Sequence, residues 1–92
     1  MYQDEYTYVT MPMAFSREDA PWIKEQLATL PAGMREKIAV AYAQAYQEAF
    51  EAEPVSFRQQ NAARRNANRR LRDFCTRYTP AARGYTSLPP RV

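Results

Sequence analysis

Ninety-two residues, 46% of them apolar and 25% charged, suit one small globular domain and leave no room for a second. One cysteine and no histidine exclude an internal disulfide, and they remove both the usual neutral-pH general base and the commonest transition-metal ligand. The formal net charge of +3 conceals a division at Pro54: residues 1–53 hold four Lys or Arg against nine Asp or Glu, whereas residues 54–92 hold nine Arg against the single acid Asp73.

Residues 1–15 alternate loosely at Tyr6, Tyr8 and Met11, as a short strand does, yet no neighbouring run offers a pairing partner. They read as an extended arm whose Tyr, Met and Phe15 side chains pack on helices, with Pro12 stopping regular structure. Ser16 with Asp19 resembles a weak capping box, and Pro21 suits a first helical turn, so a helix is expected to begin between Ser16 and Asp19. Ile23, Leu27 and Leu30 form its apolar stripe with Trp22 beside them, and Lys24, Glu25 and Gln26 fill the other side. A break follows at Leu30, Pro31 and Gly33.

From Met34 to Glu53 apolar residues recur three and four apart over five turns, which predicts a second helix. Its alanines allow a neighbouring helix to approach closely, and Tyr42, Tyr46 and Phe50 add an aromatic edge. Pro54 ends it. Ser56 with Gln59 forms another capping box and opens a third helix, from about Phe57 to Tyr78. That helix is expected to bury Ala63, Ala67, Leu71, Phe74 and Tyr78, with Cys75 on the same side. Arg58, Arg65, Arg69 and Arg72 occupy the opposite face, and Arg64 and Arg70 flank the stripe. No periodicity survives Thr79 and Pro80, so residues 79–92 are expected to form a flexible tail. The fold class is all-α: a small three-helix domain over residues 16–78, with two long antiparallel helices meeting at Pro54 and the first helix laid across them.

The chemistry concentrates in the run Asn61 to Phe74. Arginine pairs at Arg64 and Arg65 and at Arg69 and Arg70 place guanidinium groups on neighbouring turns, where they can track a phosphate backbone. Asn61, Asn66 and Asn68 add short amides able to reach base edges. The candidate nucleic-acid-binding residues are therefore Arg58, Arg64, Arg65, Asn68, Arg69, Arg70 and Arg72, with DNA and RNA equally suited. A helix-turn-helix reader fits poorly, because its recognition helix is short and follows a tight turn with glycine.

Other readings compete with this one. The arginines are solvated, or answer Glu36, Glu48, Glu51 and Glu53 across the hairpin, or dock on an acidic host or phage protein. Tyr42, Tyr46 and Phe50 either pack internally or present a ridge to a partner protein. A homodimer is compatible with so thin a core. Cys75 lacks a neighbouring base or second thiol and reads as a small buried side chain. Glu48, Glu51 and Glu53 have no glycine loop near them, so no metal, other cofactor or catalysis is expected. The absence of a secretory signal and of a long apolar run leads to the expectation of a cytoplasmic protein that does not enter membranes.

The stretch from Leu27 to Tyr78, with ATLPAGMREKIAVAYAQAYQEAF followed by RRNANRRLRDFCTRY, resembles the helical region ahead of the nuclease domain in replication gene A proteins of temperate tailed phages. The resemblance covers a little over half the chain. It rests on a Leu-Pro turn before an Arg-containing helix with repeated Ala and Tyr, and on an Ala-Asn-x-x-Leu-Arg pattern matched by Ala67, Asn68, Leu71 and Arg72. Those initiators nick DNA with a tyrosine nucleophile and a metal held by paired histidines. Neither the histidines nor a nuclease domain after Tyr78 is found here, so that activity does not carry over. What the resemblance implies is an accessory helical module, a phage or prophage origin in a host cytoplasm, and a link to phage DNA replication. Such a module would bind nucleic acid itself, or inhibit or adapt a host or phage protein of the replication or defence machinery.

Overall fold

The computed structural model describes residues 9–82. An extended segment leads into a 3₁₀ turn at Arg17–Asp19, followed by α1 (Ala20–Ala28), α2 (Ala32–Ala52) and α3 (Ser56–Ala82). The all-α fold, with two long antiparallel helices joined at Pro54, is the one that the apolar periodicity predicts. The alternation at Tyr6 and Tyr8 and the tail from residue 83 onward lie outside the described residues.

The helix ends differ from their expected form. Ser16 is extended, at φ −90° and ψ 132°, and makes no side-chain cap bond to the helix it precedes. Its hydroxyl is taken instead by Tyr46 of α2, 2.7 Å away, and by the Gln60 amide of α3, which donates at 3.1 Å. The chain turns into α1 through the Asp19 N–H to Ser16 C=O bond of 2.9 Å, with Pro21 in the first turn, where no intrahelical acceptor awaits a proline nitrogen. At the other end of α1, Arg35 reaches back from the first turn of α2: its Nε donates to the carbonyls of Leu30 and Leu27 at 2.9 and 3.2 Å. A cation on the orphan carbonyls of a helix terminus both satisfies them and complements the dipole.

α2 begins at Ala32, just after Pro31, and stops at Ala52 because Glu53, preceding Pro54, is held extended at φ −84° and ψ 116°. The Glu53 carboxylate accepts the Val55 N–H at 3.1 Å and closes the turn. Gln59 does not complete a capping box; its amide donates to the Phe50 carbonyl at 2.9 Å, closing the end of α2. α3 continues past Pro80 to Ala82, beyond its expected end near Tyr78.

Ile23 and Leu27 of α1, and Leu30 of the turn that follows it, are fully buried against a hairpin whose inner face is Ala39, Tyr42, Ala45 and Tyr46 of α2 and Ala63, Ala67, Leu71 and Cys75 of α3. Small side chains at Ala45, Ala63 and Ala67 let the two long helices approach. The space left at their sides takes the rings of Tyr42, Tyr46 and Phe50, which stack in series at centroid separations of 6.4 Å. Val9, Met11, Ala14 and Phe15 pack on the same cluster. The described portion of the arm thus packs on the helices through these side chains, as expected, while Met13 is exposed.

Candidate nucleic-acid interface

The helical period of α3 decides which arginines share a face. Arg58, Arg65, Arg69 and Arg72 are spaced seven, four and three residues apart, opposite Ala63, Ala67 and Leu71, and all four are exposed. At 1.5 Å per residue they form a straight stripe about 21 Å long. Asn61 stands at its edge, and a shallow trough lined by Asn61, Arg65, Arg69 and Arg72 runs along it toward Arg64 and Asn68. At the start of the stripe the Arg58 guanidinium lies 5.7 Å from the centre of the exposed Phe57 ring.

Among the described residues, acids do not cover this stripe. Among the described residues no carboxylate pairs with Arg58, Arg65, Arg69, Arg70, Arg72 or Arg77; it is Arg64 that pairs, with Glu18 and Asp19. Glu48 and Glu51 are exposed on α2, and Glu53 is turned onto its own loop.

Two expected site residues belong to a different structure. Arg64 grips Asp19 through two parallel bonds, Nε to Oδ2 at 2.8 Å and Nη2 to Oδ1 at 2.9 Å, and its Nη1 reaches Glu18 at 2.9 Å. Asn68 donates to Asp19 Oδ2 at 3.1 Å and accepts the Tyr42 hydroxyl hydrogen on its own Oδ1. Both side chains sit on the edge of the buried stripe of α3, where the turn before α1 brings its acids, so they are spent inside the molecule. Asn66 likewise donates to the Ala45 carbonyl at 3.0 Å. The Arg64 hydrogen bonds hold the Asp19 carboxyl below its ordinary value against the opposing effect of burial, with Asn68 assisting. Burial, and then the Asp19 charge, push the Tyr42 phenol up.

Arg70 is exposed but lies about 140° around the helix from Arg65, on the side facing α2. It belongs to a groove wall with Asp73 and Arg77. Of the two readings of Tyr42, Tyr46 and Phe50, internal packing is the one observed: Tyr42 and Tyr46 are 3% and 8% exposed and Phe50 is half-buried, because their rings fill the flanks of the alanine contact. Cys75 is buried, its thiol pushed up by desolvation and 3.5 Å from the Gln26 carbonyl, which opposes thiolate chemistry.

Neither the bonds of Ser16 to Tyr46 and Gln60 nor the network joining Asp19 to Arg64, Asn68 and Tyr42 is among the sequence expectations. The available signal was Arg64 itself, a cation beside the apolar stripe rather than opposite it, together with two adjacent acids at the start of α1. Among the described residues no helix is long and apolar enough to cross a membrane. No protein-family model matches this chain, and the comparisons with curated proteins and with solved structures likewise give no match.

Proposed function

We propose that this protein binds nucleic acid, without catalysing a reaction, through the stripe Arg58, Arg65, Arg69 and Arg72, with Asn61 beside it. The observation that carries this reading is that four exposed guanidinium groups lie in one line with no carboxylate paired to them among the described residues. A guanidinium offers planar paired donors to phosphate oxygens, and a row of them follows a backbone irrespective of sequence.

Four such contacts predict that log K falls against log salt with a slope of roughly −3.6 on duplex DNA and roughly −2.8 on a single strand. Fluorescence anisotropy with labelled duplex DNA, single-stranded DNA and RNA at a series of salt concentrations tests this. Replacing Arg65 and Arg69 together by Ala is expected to remove about half of the slope and to leave the circular dichroism spectrum unchanged. Arg70→Ala should bind much as the unaltered protein does, since that side chain points elsewhere. Failure of all three probes to bind at low salt would remove the reading.

The resemblance to phage replication proteins supports a setting in phage or prophage DNA replication within a host cytoplasm. Of the four matching positions, Ala67 and Leu71 are core contacts and Asn68 is part of the Asp19 network. Only Arg72 lies on the stripe, so it is the position through which the pattern bears on binding.

A further inference from the structure

Phe57 is 80% exposed in the first turn of α3, and among the described residues it belongs neither to the core nor to the side chains packed on it. A phenyl ring left in water adds little to the burial that holds the helices together. Single exposed apolar side chains are common on proteins, and Met13 and Val40 are two more of them here. Phe57 differs from both in where it stands. Asn61, Arg65, Arg69 and Arg72 follow it at intervals of four, four, four and three residues, so each lies one turn beyond the last on one side of α3. All four line the shallow trough, and the ring stands about 6 Å along the helix before the first of them. The guanidinium of Arg58, the remaining member of the stripe, lies over the same ring, 5.7 Å from its centre.

An aromatic ring at the head of a row of phosphate-binding cations distinguishes two forms of nucleic acid. In a duplex the base faces are stacked on one another, and only phosphates, sugars and groove edges are presented to a protein. An unpaired nucleotide offers its phosphate to a guanidinium and, within one helical turn, its base face to a ring. We propose that Phe57 is a stacking platform for an unpaired base, which gives the stripe a preference for single strands over duplex. This inference rests on the nucleic-acid reading and adds the substrate class to it. Every base has a π-face and a phenyl ring makes no use of the 2′-hydroxyl, so single-stranded DNA and RNA share the chemistry that this site recognises. Arg58 keeps a positive charge beside the stacked base.

Fluorescence anisotropy at low salt tests it, with labelled oligodeoxythymidine, oligouridine, a duplex of the same length and a strand of abasic sites as probes. Phe57→Ala should weaken binding of the two single strands roughly fivefold or more. It should leave the duplex and the abasic strand unaffected, and the salt slope unchanged, because no charge is removed. Phe57→Trp should bind single strands at least as tightly as the unaltered protein, whereas Phe57→Leu, apolar without a π-face, should behave as Phe57→Ala does. The position is exposed, so each variant should keep its helical circular dichroism spectrum. A loss on only one of the two single strands assigns the site to that sugar. Unchanged affinity of Phe57→Ala for both single strands would overturn the proposal and leave the nucleic-acid reading in place, as would an equal loss on the duplex and the abasic strand. Absence of binding by every probe would remove both.

Discussion

Asp19 is the residue on which three elements converge, since it ends the turn before α1, binds Arg64 and Asn68 of α3, and through Asn68 fixes the Tyr42 hydroxyl of α2. Its side chain is 13% exposed, so the bidentate pair is only partly screened by water. Asp19→Asn leaves the shape and removes the charge, and should cost about 1.5–3 kcal/mol, the range for hydrogen bonds to charged groups. The pH dependence follows from the lowered folded-state pKa. In the window between folded and unfolded values the unfolded chain binds the extra proton, so stability rises with pH there. The contribution is complete above the ordinary aspartate value and is lost as pH falls through the folded one. Urea melts should therefore show the largest gap between the two proteins near neutrality and a closing gap in acid. A gap that persisted unchanged in acid would show that the Asp19 charge is not what separates the two proteins.

At the scale of the elements, the contact between α2 and α3 depends on side chains that are small. Ala63 and Ala67 are fully buried where the helices meet, and each added carbon there must separate the backbones or displace Tyr42. Ala67→Leu, which raises hydrophobicity and helix propensity is little changed, should nonetheless destabilise by about 1–3 kcal/mol, read as a lower urea midpoint. An unchanged midpoint would mean that the contact is looser than its burial indicates. Both helices were legible in the sequence because the alanine and aromatic positions repeat at helical spacing over many turns, and that repeat needs no knowledge of the neighbour. Boundaries and polar roles were less legible. Ser16 has the composition of a cap, yet its partners are Tyr46 and Gln60, 30 and 44 residues away, and no local pattern announces them. Asn68 and Arg64 carry the residue types of a phosphate-binding face, but their rotation about α3 brings them to the acids of the turn before α1. That Arg58, Arg65, Arg69 and Arg72 share one exposed face is legible in the sequence, because they lie opposite the apolar stripe and rotation alone settles that.

For the molecule as a whole, the exposed arginines make opposite demands on stability and binding. Arg65, Arg69 and Arg72 are neighbours at spacings of four and three, and like charges so placed destabilise a helix by about 0.2–0.5 kcal/mol per pair. The acids of α2 do not relieve this, since Glu48 and Glu51 are exposed and, among the described residues, no carboxylate pairs with the stripe. Salt screens such repulsion over a distance of about 10 Å at 0.1 M, whereas the partly buried Asp19–Arg64 pair is screened less. Added sodium chloride is therefore expected to raise the melting temperature while it lowers affinity for nucleic acid. Replacement of Arg65 and Arg69 by Ala should reduce both responses together, which separates the stripe from any general effect of salt on apolar burial. A melting temperature that fell with salt would mean that attractive surface pairs outweigh repulsion. The stripe would then be answered by acids of this chain, and the positive field needed to hold a polyanion would not be there.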